Sequence, residues 1–495
     1  MALPALKESV GAGITGLMPA RPDAGRFRWY VFFAAFLVLP NLPLVLAARP
    51  IGLLVRGYLD LDYLLIALLS LFVPRILTFF LLVAAVVLDF MHAACITYFF
   101  APAEFVQVVR YGGFLPTSRI GLIVAAFVGT LIVCAATTAC TSPRASGRER
   151  RIAIVTVSLT ICALAIIDLS SIRQILLHNG ENRIPARITR TPTLGLIYSQ
   201  YIYERYSRGL RLGGQFAMPS ATAIALNHLA DYGHGPSQPN VVLVLVEAWG
   251  SPRDMALRGA LDQPFSDSAL LARYTILRGS MPFEGHTSSG EGRELCGTHL
   301  GEFLTQGTAA QLERCVPAQL RRAGYRTLAV HGFSGDFYDR KDFYPKLSFE
   351  EIWFHDRLRA AGLPDCEGPF PGSCDDTVAA WIGQRLRQSG SAPLFVHWVT
   401  LNSHLPIWQS VINRNHEGCN VSAITRDDPA VCAWYDLVLR VNKSIRRLAL
   451  EPLGRPTIFI VTGDHEPPFD KEMELSGFSA TQVPYFILLP KLGAK

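Results

Sequence analysis

The strongest constraint on this chain lies before residue 172, where apolar residues come in runs too long for a soluble surface. Trp29–Ala48, Ile76–Leu88 extended to about Phe100, Ile120–Ala139 and Ile152–Leu169 each approach the roughly 20 residues that a helix needs to cross a bilayer. Tyr63–Val73 is shorter and is read as a fifth span. The first run stands behind a polar leader, with no small-residue cleavage pattern after it. It is expected to be a retained helix rather than a removed signal. The chain has 495 residues, half of them hydrophobic, and the excess collects in these runs.

Charge orients such a bundle. Lys7, Arg21, Arg26 and Arg28 precede the first run, Arg75 lies between the second and third, and Arg144, Arg148, Arg150 and Arg151 lie between the fourth and fifth. With five spans these residues fall on one side, and the opposite loops carry only Arg49, Arg56, Arg110 and Arg119. The positive-inside rule then puts the amino terminus in the cytoplasm and everything after the fifth span outside. The three inner segments account for the whole formal net charge of +6. The remainder is balanced, so no basic footprint for nucleic acid is left.

Cysteine usage agrees with that topology. Cys95, Cys134, Cys140 and Cys162 lie in the apolar part and read as small buried hydrophobes. Cys296, Cys315, Cys366, Cys374, Cys419 and Cys432 all follow it. An even set in an exported region suggests disulfides, and pairing each with its sequence neighbour closes three short loops. No CxxC spacing is present for a zinc ribbon.

The organisation follows. Residues 1–171 form a transmembrane domain of about five helices, 172–238 a juxtamembrane connector, and 239–495 an exported domain. In the connector, "LGLIYSQYIYERYSRGLRL" alternates aromatic and polar residues, as a helix lying on the membrane surface or packed against protein would. "GHGPSQPN" is a turn-rich hinge. Beyond it, helix-like segments alternate with the strand-like "VVLVLV", "YRTLAVHG", "APLFVHWVTL", "PTIFIVTG" and "QVPYFILLP". This alternation predicts an α/β fold with a mainly parallel sheet and helices on both faces.

Strand ends of a parallel sheet converge on one edge, where such folds place ligands. The successive strands run into Glu247, His331, "TLNSHLP" with His404, and Asp464-His465. Carboxylates with an imidazole suit Zn²⁺ or Mn²⁺, with Mg²⁺ also compatible, better than calcium. Between the first and second strands, "GHTSSGE" offers Thr287, with Ser288 and Ser289 as competing hydroxyls. Thr287 reads as a nucleophile activated by the metal or as a helix cap with Glu291 in a capping box. His331, Tyr338 and Arg340 stand together in "HGFSGDFYDR", and a guanidinium with imidazoles beside a metal suits a phosphate.

Taken in order, "VLVEAWG", "GHTSSGE", "HGFSGDFYDR", "TLNSHLP" and "GDHEPP" resemble the lipoteichoic acid synthase and phosphoglycerol transferase group of the alkaline phosphatase–sulfatase superfamily. The resemblance covers 239–495 and extends to the five-span anchor. It implies that Glu247, Thr287, Asp464 and His465 bind the metal and that Thr287 takes the phospho-head group. It also implies that His331, Tyr338, Arg340 and His404 contact the substrate, Tyr338 standing where the group often has Trp. The C/S-x-P-x-R motif of true sulfatases is missing near Thr287, which argues against sulfate-ester hydrolysis. Glu466-Pro467-Pro468 after the Asp-His pair tilts toward the phosphoglycerol enzymes. The exported cysteines tilt toward the sister phosphoethanolamine transferases.

The expected function is therefore a metal-dependent phosphotransferase of a bacterial inner membrane with its catalytic domain in the periplasm. It would move a phospho-head group from a phospholipid donor to a glycan or glycolipid acceptor. A phosphodiesterase or phosphatase using water, and a silent envelope regulator, are the alternatives. Asp89 and His92, one helical turn apart, are expected to contact each other. Glu104 and Arg110 read as loop charges and His397 as a packing histidine.

Overall fold

A computed structural model describes residues 24–98 (except 52 and 54–58), 102, 117–139, 147–177, 189–197, 200, 218–233 and 238–491 (except 299–303, 306, 369, 406 and 470–475). Lys7, Arg21, Glu104, Arg110, residues 201–212 of the aromatic connector run and 234–237 of the hinge lie outside this set.

The apolar runs are helical. The first is broken into α1 (Ala24–Val38) and α2 (Leu42–Ile51); the break includes Pro40, which has no N–H to give a helix. Then come α3 (Asp62–Leu69), α4 (Arg75–Tyr98), α5 (Thr117–Ala139) and α6 (Gly147–Leu177). Among the described residues three stretches are long and apolar enough to cross a membrane: Trp29–Ala48, Arg75–Cys95 and Ile120–Ala139. The run Ile152–Leu169 lies within the 31-residue α6. The expected span at Tyr63–Val73 is different. Its helix, α3, has eight residues, about 12 Å at 1.5 Å per residue against a hydrocarbon core of about 30 Å. The run Tyr63–Val73 therefore does not form a full-length span.

Asp89 of α4 also departs from expectation. It is buried and receives Arg190 Nε at 2.8 Å on Oδ1, together with Arg190 Nη2 and Tyr63 OH on Oδ2. Arg190 belongs to β2 (Thr189–Arg190), which pairs in parallel with β1 (Leu59–Asp60). A connector strand, rather than His92, supplies the charge that a buried carboxylate needs. His92 packs instead on Gly195, where a side chain would collide with its ring.

The rest is built on one seven-stranded sheet. Its strands are β3 (Asn240–Val246), β4 (Tyr274–Pro282), β5 (Arg326–His331), β6 (Glu351–Trp353), β9 (Leu394–Val399), β10 (Thr457–Gly463) and β11 (Gln482–Pro490); a separate hairpin holds β7 (Asp365–Cys366) and β8 (Gly372–Ser373). The order is β4-β11-β10-β3-β9-β5-β6. The five strands from β10 to β6 run parallel, and β11 and β4 add an antiparallel edge. The central strands are buried along their whole length, as strands covered on both faces must be. Val242, Val244 and Val246 face a core shared with Trp434, Val438 and Ile445 of α10 (Pro429–Leu450) and with Val378 and Ile382 of α9 (Asp375–Arg387). Val241 and Leu243 face the other way, onto Ala221 and Ala225 of α7 (Ala221–Leu226) and Leu295 of α8 (Thr287–Cys296). Cys296–Cys315, Cys366–Cys374 and Cys419–Cys432 are disulfide-bonded.

Candidate metal centre and active site

The carboxyl ends of β3 and β10, neighbours in the sheet, deliver Glu247, Asp464 and His465 to one point. A ligand atom from each lies within 4.8 Å of the others, and all three residues are buried. Two backbone features make the approach possible. Gly463 ends β10 where any side chain would collide with the Trp249 carbonyl. Ala248 takes a left-handed conformation, φ 54°, uncommon for a residue with a side chain. Its N–H donates to Asp464 Oδ1 at 2.8 Å and its carbonyl accepts from Trp434 Nε1 at 2.9 Å, which holds the turn in place.

Thr287 opens α8, and its Oγ1 donates to Glu247 Oε2 at 3.1 Å. The cap position is His286, with no side-chain cap bond. Thr287 is thus turned into the centre, not back onto its helix. Gly290, one turn on, lets α8 close against Asp464, since a Cβ there would come within 2.9 Å of the Asp464 Cβ. Ser288 Oγ pairs with His286 Nδ1 at 3.0 Å.

A divalent cation fits these donors. Glu247 Oε1 and Asp464 Oδ2 are buried without a hydrogen-bond partner, a costly state for carboxylates unless a cation is held there. His465 Nδ1 bonds the Glu466 carbonyl at 2.7 Å. This leaves Nε2 facing Glu247 and Asp464, each 3.3 Å away, the arrangement of a ligating histidine. Without a metal a proton does the work. Burial opposes a charged His465, but Asp464 and Glu247 outweigh it and hold the imidazole up at about 9. Burial and the Glu247 charge push Asp464 up. Burial works the same way on Glu247, yet His404, His465 and the Thr287 hydroxyl keep it below the usual carboxylate range.

His404 stands beside this centre, Nε2 3.9 Å from Glu247 Oε1, on a loop fixed by Asp375, whose carboxylate accepts from the Leu401 and Asn402 N–H groups. His331 ends β5. Its Nδ1 bonds the Val399 carbonyl at 3.1 Å, so Nε2 faces Arg340 Nη1 at 3.4 Å. Burial and the Arg340 charge lower His331 to about 3, so it is neutral. Tyr338 and Asp339 are both left-handed, φ 56° and 52°. That turn lays the Tyr338 ring on His286, centroids 5.2 Å apart, and under the Arg340 guanidinium at 5.3 Å. Consecutive strained residues of this kind persist where surrounding contacts over-determine them, often at functional sites.

Sequence reading missed the hub of this second cluster. Glu291 caps no helix. It accepts from Arg340 Nε at 3.0 Å and Nη2 at 2.8 Å, from Tyr344 OH at 2.6 Å, and lies 3.4 Å from His397 Nε2. Burial opposes its ionisation, but Arg340 and His397 bring it down to about 2. His397 is buried, as a packing histidine should be, yet it also faces this charge. No spacing rule could have found it, because its partner lies 106 residues away.

A sulfatase family model matches residues 239–495, more than half of the chain. The chain belongs to the sulfatase family. Solved structures similar to it include a lipoteichoic acid synthase from Listeria monocytogenes (14% identity, TM-score 0.37, covering 53% of this chain and 69% of that one). A phosphoglycerol transferase from Streptococcus pyogenes is similar at 17% identity and TM-score 0.37, covering 54% and 72%. The C-terminal periplasmic domain of EcEptC from Escherichia coli follows at 11% identity and TM-score 0.33, covering 53% and 74%. No curated protein sequence matches the chain. The family match begins one residue before β3 and contains every candidate site residue named above.

Proposed function

We propose that this family member is a membrane-anchored phosphotransferase that moves a phosphoglycerol or phosphoethanolamine head group from a phospholipid to an envelope glycan or glycolipid. The observation that carries the reading is Thr287. Its hydroxyl points at a carboxylate of a buried trio whose two remaining oxygens have no hydrogen-bond partner. In this reading Glu247, Thr287, Asp464 and His465 hold a divalent cation, Mn²⁺ or Zn²⁺ before Mg²⁺. When bound, it would supply Lewis acidity toward an alcohol and a phosphate oxygen.

The chain's own groups then divide the work. Glu247 Oε2 accepts the Thr287 hydrogen bond and so aims Oγ1. Arg340 Nη1, neutral His331, His404 and Tyr338 surround the place where phosphate oxygens would lie, the guanidinium meeting their charge. Oγ1 of Thr287 gives up its proton and forms a bond to phosphorus as the phosphorus–oxygen bond to diacylglycerol breaks, and the departing oxygen takes up a proton. An acceptor hydroxyl then loses its proton and attacks the phosphorus, the bond from phosphorus to Oγ1 breaks, and Oγ1 takes up a proton to restore Thr287. The apolar helices of 1–171 would anchor the chain in the membrane that holds its donor. The connector 172–238 would follow, and the region 239–495 would work on the periplasmic side.

The test offers purified full-length protein phosphatidylglycerol and phosphatidylethanolamine separately. Diacylglycerol should be released from one of them and, without acceptor, the head-group phosphate should be found on the Thr287 peptide by mass. Thr287→Ala should lower turnover by roughly 10³-fold or more and abolish the adduct, with metal still bound, less tightly, by Glu247, Asp464 and His465. Thr287→Ser should keep part of the activity. An adduct on Ser288 or Ser289, or no diacylglycerol from either lipid, would overturn the reading. Immediate release of free head-group phosphate would make water the acceptor.

A further inference from the structure

Behind the metal centre lies a buried chain of polar contacts that the proposed reaction does not use. Arg293 of α8 is fully buried and directs its guanidinium away from the ligand atoms, onto the backbone that carries them. Nη2 donates to the Gly463 carbonyl at 2.7 Å, and Nη1 to the Asp464 carbonyl at 3.3 Å and the Pro282 carbonyl at 3.4 Å. Nε donates to Glu294 Oε1 at 2.7 Å. The other oxygen of Glu294 accepts from Thr222 N at 2.9 Å and Thr222 Oγ1 at 2.8 Å. Thr222 sits in α7, whose first turn is capped by Ser220 accepting from Ala223 N. This helix precedes the region matched by the sulfatase family.

We infer that Arg293 is a positioning residue for the metal centre, and that Glu294 and Thr222 hold it in place from outside the family region. The argument is geometric. Arg293 shares a ten-residue helix with Thr287 and grips the two carbonyls at the end of β10. It therefore fixes the distance between the nucleophile and the Asp464-His465 pair. A guanidinium suits this because its planar fork reaches several carbonyls at fixed angles. An arginine this deeply buried needs a counter-charge; Glu294 supplies it, and Thr222 satisfies the carboxylate oxygen that Arg293 leaves. The chain of contacts makes α7 part of the site's support although α7 carries no ligand.

The inference rests on the proposed metal centre, so the experiment separates the two. Mn²⁺ is titrated into metal-stripped, detergent-solubilised full-length protein in competition with a metallochromic chelator, well below the unfolding temperature. Asp464→Asn is the control and should abolish tight binding. Arg293→Gln should weaken Mn²⁺ binding by about 10- to 100-fold, the range for lost support of a ligand, in molecules that remain folded by circular dichroism. Arg293→Lys keeps the charge for Glu294 and should recover part of the loss. Thr222→Val removes one of the two donors to Glu294 and should cost a few-fold. A residue that only staples α8 to the sheet would lower thermal stability and leave the affinity of the folded protein unchanged. Wild-type affinity in folded Arg293→Gln, with Asp464→Asn defective, overturns the inference. If Arg293→Gln does not fold, wild-type affinity in both Arg293→Lys and Thr222→Val overturns it equally. Tight Mn²⁺ binding by Asp464→Asn refutes the metal centre itself.

Discussion

Two buried charge clusters meet α8, one at Thr287 and one at Glu291, and differ in how their charges are met. Around Glu291, one carboxylate oxygen accepts two N–H groups of the Arg340 guanidinium and the other meets a tyrosine hydroxyl and an imidazole. Around Glu247 and Asp464, two carboxylates share one imidazole, and an oxygen on each has no hydrogen-bond partner. Both clusters cost desolvation; the first offsets it internally, whereas in the second one imidazole faces two carboxylates and offsets it only in part. The difference separates support from function. A satisfied buried charge holds other groups in place, whereas an unsatisfied one marks where a ligand's charge belongs.

Removing ligands from the unsatisfied cluster should give the largest effect. Asp464→Asn and His465→Ala are expected to lose bound metal and to drop turnover by roughly 10³-fold or more, while thermal stability of the metal-free protein changes little or rises. Metal analysis and calorimetry check this. A large fall in metal-free stability would show that the two clusters do not differ in kind.

Breaking the satisfied cluster should do the reverse. Glu291→Gln leaves Arg340 buried without its counter-charge and should cost about 3–5 kcal/mol of stability, with metal content retained. The pH dependence has a definite sign. The carboxyl of Glu291 is held at about 2 in the fold, below its unfolded value. Its contribution is fully present above the unfolded carboxylate range and is lost as pH falls through the folded pKa. The stability gap between wild type and Glu291→Gln should therefore be constant from neutral pH down to about 4.5 and should close toward pH 2. A gap independent of pH would refute the assigned charge state.

The smallest effect belongs to a third cluster, in the apolar part. Asp89 is met by Arg190 and Tyr63. Asp89→Asn keeps an acceptor for Arg190, which also donates to Asn41 Oδ1 at 2.9 Å and has the Asp60 carboxylate nearby, and it is expected to cost about 1–3 kcal/mol in detergent, measured by thermal unfolding, with no change in metal content. Loss of metal on this substitution would tie the anchor to the centre more closely than its contacts imply.

Particular residues show what could be read in advance. Glu247, His331, His404 and Asp464-His465 were found because short continuous apolar runs between helix-like segments mark buried strands, and parallel strands end at one edge. The same logic did not reveal β4, an edge strand whose residues between Tyr274 and Met281 are half-buried or exposed and so form no continuous apolar run. Nor did it reveal the antiparallel sense of β11, since direction leaves no trace in hydrophobic period. The run Tyr63–Val73 was apolar enough for a span, but the helix it forms stops after eight residues.

What the sequence determined by itself is local in origin: apolar runs and their lengths, the alternation of helix and strand, and the residues delivered at strand ends. Short separations favoured neighbour pairing of the six exported cysteines, but spacing leaves 15 connectivities open, and the fold settles them. What only the tertiary structure decided is which buried charge meets which. Glu291 meets Arg340 across 49 residues, Arg190 meets Asp89 across 101, and Thr222 meets Glu294 across 72. Each pairing follows from desolvation, which forces a buried polar group to find a partner but does not say where along the chain that partner lies. The sheet's register and the packing of α7 and α8 settle the choice. They leave Glu247 and Asp464 each with a buried oxygen that has no hydrogen-bond partner, the point where a divalent cation is proposed to bind.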